Sequence, residues 1–246
     1  MKHAPEFFCD SDLESLDHTR LPQHIAIIPD GNRRWAKARF MPTLHGHIAG
    51  ADTTVEIIRA AKALGIKTVT LYAFSTENWK RPGPEVDHLM HTIEQYLERY
   101  QNKLAENGIR LWAIGNLDGL GKSVQAIVEK TCQKTAHCSD FNFVLAINYG
   151  GKDEICRAVK RMLTEKLSPD SISEKSFSQF LDTGNFSDPD LIIRTSGEMR
   201  LSNFLLWQSA YSELYIDSVQ WPEFTPLHLL KAVREYQTRV RRIGGA

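Results

Sequence analysis

The segment Pro29-Asp30-Gly31-Asn32-Arg33-Arg34-Trp35 sets a carboxylate, a glycine and two guanidinium forks side by side, directly after the apolar run Ile25-Ala26-Ile27-Ile28. Glycine permits backbone angles that a side chain forbids, and a helix starting here would present free N–H groups to an anion. Arg33 and Arg34 add donors that match phosphate oxygens. Asp30 as a helix N-cap, with the arginines on a solvated face, accounts for the same residues, and both readings stay open. A second segment, Ser75-Thr76-Glu77-Asn78-Trp79-Lys80-Arg81-Pro82, gathers a hydroxyl, an amide, a large aromatic ring and cations. Trp79 has little reason to sit there unless it meets a ligand or anchors the loop on the core. The third segment is Arg194-Thr195-Ser196-Gly197-Glu198-Met199-Arg200-Leu201-Ser202-Asn203. Its two arginines, six residues apart with hydroxyls between them, suit a diphosphate. A surface ion pair of Glu198 with an arginine is the plain alternative, and such pairs add little stability. Glu213 follows, just ahead of a short apolar run.

Arg34, Arg81, Arg194 and Arg200 would concentrate positive charge in a chain whose formal net charge is zero. A neutral chain gives no global signal for nucleic acid, so the cluster points to a small, multiply charged anion. Asp30 beside such an anion is repelled unless a cation bridges them, and Mg2+ commonly takes one or two carboxylates together with phosphate oxygens. Magnesium therefore follows from Asp30 and the arginines, on condition that the ligand is a diphosphate. Neither GxxxxGK[ST] nor a GxGxxG after a strand occurs, and there is no nucleophile elbow. His45-x-His47 is a weak metal-ligand spacing. Cys9, Cys132, Cys138 and Cys156 make no CxxC pair, which argues against zinc and redox chemistry and fits reduced cytosolic thiols. Residue types alone thus reach a transferase acting on a phosphorylated or diphosphorylated substrate.

The elements must carry these segments to one place. Short apolar, β-branched runs at 24–28, 69–74, 109–114, 141–147, 191–193 and 214–216 predict strands. Apolar residues at helical spacing over 53–64, 86–104, 124–132 and 155–162 predict helices, and Thr225-Pro226 opens a last one. Alternation of such strands with helices predicts an α/β fold, a single domain with a mostly parallel central sheet flanked by helices. Ligands of these sheets bind beyond the carboxyl ends of the strands, where all three segments fall. Residues 1–20 are acidic and polar without an apolar signal region; they read as a loosely held tail before a catalytic domain over 21–246. No stretch approaches the ~20 apolar residues of a membrane span, so the chain is expected to be cytoplasmic.

With these residues in place, the sequence resembles the cis-prenyltransferase family, and within it the bacterial undecaprenyl diphosphate synthases. The resemblance rests on 24–36 (HIAIIPDGNRRWA), Gly46-His47-x-x-Gly50, 71–82 (LYAFSTENWKRP), Asn148-Tyr149-Gly150-Gly151 and 190–215 (DLIIRTSGEMRLSNFLLWQSAYSELY), in order over nearly the whole chain. It implies an Mg2+-dependent enzyme that condenses isopentenyl diphosphate onto an allylic diphosphate such as farnesyl diphosphate. The implied product is a long-chain polyprenyl diphosphate, undecaprenyl diphosphate, the lipid carrier precursor for cell-wall (peptidoglycan) synthesis. By the same resemblance Asp30 holds Mg2+ and the allylic diphosphate, with Gly31, Asn32, Arg33, Arg34, Trp35 and His47 around it. Ser75, Thr76, Glu77, Asn78, Trp79 and Arg81 lie on a mobile loop. Arg194, Arg200, Leu201 and Ser202 take the diphosphate of isopentenyl diphosphate, and Glu213 helps to place the metal. Asn78 is the second catalytic candidate; a neutral amide is a poor base, so its expected part is to orient the phosphate oxygen or water that accepts a proton. An apolar product tunnel is implied as well. Helix 86–104 is either its wall or a plain core helix, and Phe141 is a candidate for its floor. Family members act as homodimers, and the ending Arg242-x-Gly244 implies that these two residues serve the partner's site in trans. Membrane contact is expected to be peripheral at most, during product release. Thr43 stands where the family usually has an arginine, with Arg39 the candidate replacement. A product of different length, or a non-catalytic subunit of a heteromeric enzyme, are the alternatives. Such a subunit is expected to lose Asp30 or the Asn78-Trp79 loop, and this chain keeps both.

Overall fold

A computed structural model describes residues 7–240. The strands β1 (His24–Ile28), β2 (Thr68–Ser75), β3 (Ile109–Ile114), β4 (Phe141–Tyr149), β5 (Leu191–Arg194) and β6 (Glu213–Ile216) form one sheet in the order β3-β4-β2-β1-β5-β6. Every pairing in it is parallel. β1 and β5 are buried at every position, as expected for strands covered on both faces, and this is why their sequences are continuously apolar. Ile25, Ile27 and Ile193 are completely buried, and burial of such side chains stabilises by about 1.5–3 kcal/mol each. The centre of the sheet is therefore a rigid base for the loops beyond it.

The helices are α1 (Asp10–Glu14), α2 (Asn32–Ala38), α3 (Thr43–Ala63), α4 (Gly83–Glu106), α5 (Lys122–Thr135), α6 (Gly151–Thr164), α7 (Glu174–Phe180) and α8 (Pro226–Thr238). On one face of the sheet Ile57, Leu97, Val128 and Leu229, from α3, α4, α5 and α8, pack on Ile27, Leu71, Phe143 and Ile193. On the other, Tyr72 stacks on Phe204 with centroids 4.4 Å apart, and Tyr149 stands edge-on to both. Among the described residues no helix is long and apolar enough to cross a membrane.

Three differences from expectation have physical causes. α3 starts at Thr43, well before the apolar period at 53–64, because its first turns press on α2 instead of the core. A Cβ at Gly46 would lie 2.1 Å from the Asn32 carbonyl oxygen, and one at Gly50 would lie 2.5 Å from Asn32 Oδ1. α7 buries only Phe177, so it shows no period. Residues 7–20 are docked, which corrects the loose tail for that stretch. Phe8 and Leu16 are buried, and Arg234 of α8 donates to Ser15 Oγ at 2.8 Å and to Asp12 Oδ1 at 3.1 Å.

Candidate active site

The chain leaves β1 toward β2 on one side of it and leaves β5 toward β6 on the other. The carboxyl ends of these adjacent strands therefore open a crevice, the place where parallel sheets bind ligands. The two strand-end loops are laced together there. Asp30 N donates to Thr195 Oγ1 at 2.9 Å, while Thr195 Oγ1 and Ser196 Oγ donate to the Asp30 carbonyl at 2.7 and 2.9 Å. Gly31 has φ 107°, and a Cβ on it would meet Ser196 Oγ at 2.1 Å, so only glycine permits this approach.

The Asp30 carboxylate is oriented by this frame. Its Oδ2 accepts from Arg194 Nη2 at 2.9 Å, and its Oδ1 accepts from Gly31 N at 2.8 Å and lies 3.5 Å from Arg34 Nη2. Burial pushes the Asp30 pKa up, but the hydrogen bond and charge of Arg194, then Arg34 and the Gly31 amide, outweigh it and hold the group below its ordinary value. Arg194 is 4% exposed. Its Nη1 donates to Ser202 Oγ at 2.8 Å and to the Arg200 carbonyl, whereas its buried Nε has no partner.

The opposite wall is built around Glu85, in the first turn of α4. Its Oε1 lies 3.1 Å from Arg81 Nη1, 3.7 Å from Arg33 Nε and 3.6 Å from His47 Nε2. Burial lowers the His47 pKa and Arg81 lowers it further, against the opposing pull of Glu85, and the net lowering favours the neutral imidazole. Asn78 Oδ1 accepts from Ser75 N at 3.1 Å, which closes the turn after β2. Trp79 packs edge-on against Phe74 and donates through Nε1 to Asn148 Oδ1 at 2.7 Å. It is thus both an anchored and a 41% exposed ring.

These walls enclose a cleft of about 840 Å³ that includes Asp30, Gly31, Asn32, Arg33, Arg34, His47, Ser75, Glu77, Asn78, Arg81, Arg194 and Ser202. Pro29, Asn32, His47, Ala73 and Leu89 border both this cleft and a second cavity of about 440 Å³ between α3, α4 and the sheet. Val55, Ile58, Leu97, Leu104, Ile109, Phe143 and Leu145 line that inner space. A cationic mouth continuing into a hydrocarbon-lined interior suits an anionic head on an apolar chain. The stripe on α4 is accordingly a cavity wall as well as a core face.

Several expected site residues lie elsewhere. Trp35, Thr76, Trp79, Arg200 and Leu201 do not line the cleft. The Trp35 ring lies under the Arg39 guanidinium, the Arg200 side chain is mostly exposed and paired with Glu198, and Leu201 packs on the cluster around Tyr72. Glu213 needs a correction. It pairs with Leu191 at the start of the parallel edge strand, whereas Arg194 at the site end pairs with Ile216. Three residues of strand separate them, about 10 Å, and Glu213 Oε2 is taken by Arg239 Nη1 at 2.9 Å. Within one chain it does not join Asp30. Arg39 is paired with Glu223 instead of facing the cleft, and Phe141, the register partner of Ile109, is fully buried and does not line the cavity. Among the described residues no group of three or more His, Cys, Asp or Glu is placed to hold a metal. Arg242 and Gly244 lie outside the described residues. Glu85, Tyr72 and Asn203 were missed. The one signal for Glu85 was its i+4 spacing from Arg81 across the helix start.

Comparison with known proteins adds an independent line. The family model described as "Putative undecaprenyl diphosphate synthase" matches residues 28–244. An isoprenyl transferase of Listeria monocytogenes serotype 4b is 45% identical over 236 residues, covering 94% of this chain and 94% of the relative. One from Heliobacterium mobile is 46% identical, covering 94% and 91%. The crystal structure of lavandulyl diphosphate synthase from Lavandula x intermedia, in complex with dimethylallyl diphosphate, superposes with a TM-score of 0.89 at 36% identity and covers 92% of this chain and 100% of that one. A "probable undecaprenyl diphosphate synthase" from Campylobacter jejuni gives 0.78 at 34% identity, with 91% and 99% coverage.

Proposed function

The chain belongs to the cis-prenyltransferase family and is an isoprenyl transferase, and on that premise we propose that it extends farnesyl diphosphate with isopentenyl diphosphate to a polyprenyl diphosphate of undecaprenyl type. The observation that carries this reading is the cleft at Asp30 and Arg194 running into the apolar cavity along α4. The lining includes four arginines, Arg33, Arg34, Arg81 and Arg194, against Asp30 and Glu77, with Glu85 behind Arg33 and Arg81, and the remaining positive charge favours a polyanion.

Gly31, Asn32, Arg33, Arg34 and His47 receive the allylic diphosphate, and Arg194 and Ser202, with Arg200 at their side, receive that of isopentenyl diphosphate. The donor set at Asp30, one oriented carboxylate among cations, fits Mg2+, which would stabilise charge on the departing diphosphate. The arginines stabilise the same developing charge as the allylic C1–O bond breaks. The alkene of isopentenyl diphosphate then attacks C1, and a proton leaves its C2. Asn78 spends its amide oxygen on Ser75 N, which leaves its NH2 to donate. It therefore orients the oxygen that takes the proton and does not take it itself. The growing hydrocarbon enters the cavity along α4.

The enzyme acts as a cytoplasmic homodimer and supplies the lipid carrier of the cell wall. Exposed Tyr211 and Leu214, just before and within the edge strand β6, support pairing with a second copy. Incubation of the pure protein with farnesyl diphosphate, labelled isopentenyl diphosphate and Mg2+, followed by sizing of the dephosphorylated product, tests the reading. A discrete long-chain polyprenol is expected. Absence of any elongation with farnesyl diphosphate rejects it.

A further inference from the structure

Three segments that carry the site meet at one side chain, Asn203. Its Nδ2 donates to Glu77 Oε1 at 2.8 Å, in the turn that also bears Asn78 and Arg81. Its Oδ1 accepts from Lys152 N at 2.9 Å and its carbonyl accepts from Gly151 N at 2.7 Å, both in the first turn of α6. Its chain neighbour Ser202 holds Arg194 Nη1 at 2.8 Å. Donor and acceptor ends of the amide are thus used in opposite directions, which fixes the orientation of the group. The backbone sits at φ 64°, a left-handed conformation that asparagine tolerates better than most residues. The contact has no slack. A Cβ at Gly150 would lie 2.6 Å from Thr76 Oγ1 and 2.8 Å from Asn203 Nδ2. The Trp79–Asn148 bond ties the same turn to the end of β4, so among the described residues only the Asn203 bond ties it to the loop beyond β5.

We propose that Asn203 is a positioning residue that couples the isopentenyl diphosphate side of the cleft to the turn at 75–81 over the allylic side. An anion held by Arg194 and Ser202 orders the backbone at 202–203. The fixed amide of Asn203 then carries that order to Glu77 and sets Asn78 and Arg81. The coupling is reciprocal: an allylic diphosphate that orders 75–81 favours isopentenyl diphosphate at Arg194. The inference rests on the assignment of the two diphosphates given above.

Asn203→Asp keeps the acceptor for Lys152 N and the tolerance of positive φ, but it sets a carboxylate against Glu77. Glu77→Gln on that background restores the bond with its direction reversed. Hydrogen exchange of the full chain is followed with isopentenyl diphosphate and Mg2+ alone. In the wild type, protection is expected over both 194–203 and 75–81. In Asn203→Asp it is expected over 194–203 only, with kcat/KM lowered about tenfold or more, the scale of one hydrogen bond to a charged group. The double variant is expected to regain protection at 75–81. Unchanged protection of 75–81 in Asn203→Asp, or a double variant no better than the single one, overturns the coupling. Protection confined to 194–203 in the wild type overturns it without reference to how any variant folds. Protection of neither segment in the wild type overturns the assignment of the diphosphate sites, and the coupling with it.

Discussion

Replacing Arg194 with alanine separates binding from scaffold at the centre of the site. The guanidinium is buried and donates to Asp30 Oδ2, Ser202 Oγ and the Arg200 carbonyl, so truncation leaves three acceptors short of a donor. Breaking a buried ion pair costs about 3–5 kcal/mol. The Asp30 side chain is 32% exposed, which puts this one at the low end, about 3 kcal/mol. That corresponds to a fall in Tm of about 6–12 °C for a domain of this size. A lost hydrogen bond to a charged ligand is a separate effect of about 1.5–3 kcal/mol, or about 10–150-fold. Initial rates with each substrate varied in turn should therefore show the KM for isopentenyl diphosphate rising about tenfold or more, with a much smaller change for farnesyl diphosphate. A second readout is the acid limb of kcat/KM. Burial raises the Asp30 pKa and Arg194 is the foremost group holding it down, so in Arg194→Ala the limb moves to higher pH. Equal changes in both KM values would refute the assignment of Arg194, and an unmoved acid limb would refute the electrostatic account of Asp30.

Three further outcomes follow from other parts of the molecule. Asp182 receives Arg157 Nη2 at 2.6 Å, Arg161 Nη2 at 3.0 Å and Gly115 N at 3.0 Å, so Asp182→Ala should cost about 3 kcal/mol in urea unfolding and leave both KM values unchanged. Burial raises the Asp182 pKa but Arg157 foremost holds it below its ordinary value; this stability is present above the unfolded carboxylate pKa and is lost as pH falls through the folded one. Leu104→Trp fills the cavity fifteen residues of α4 beyond Leu89, about 22 Å from the mouth. The product should shorten while the first condensation keeps its rate, and an unchanged product length would remove this cavity from the account. Deleting 242–246 should lower turnover without changing Tm, and mixing with Asp30→Ala chains should restore part of it. A mixture that stays inactive while mixed dimers form would show that the tail does not act in trans.

Much of this was legible because the chain states its central layer plainly. β1 and β5 are buried on both faces, so 24–28 and 191–193 read as strands, and the rule for parallel sheets then placed Asp30 and Arg194 at one edge. Their direct bond, though, depends on Gly31 and Ser196 touching, which no residue pattern announces. Glu85 was hidden because it follows Pro84 at a helix start, where an acidic residue is ordinary. Its importance comes from Arg33 and His47, brought from two other helices. Glu213 came from the resemblance, and within one chain its place on the sheet sets it apart from Asp30. A residue that opens a parallel strand sits at the end opposite the ligand. Arg39 was read from its distance to Thr43 along the chain, but Trp35 and Glu223 compete for it in space.

The most direct test of the central claim is the turnover of Asp30→Ala and Asp30→Asn beside the wild type, with farnesyl diphosphate, isopentenyl diphosphate and saturating Mg2+. The Asp30 carboxylate bonds only to Arg194, Arg34 and the Gly31 amide among the described residues, and Arg194 keeps Ser202 and the Arg200 carbonyl as partners, so both variants should fold with an unaltered circular dichroism spectrum, though with a lower Tm. Both should lose nearly all turnover, because the carboxylate that holds Mg2+ beside the leaving diphosphate is gone. Near-normal turnover of either folded variant at saturating Mg2+ would contradict the account.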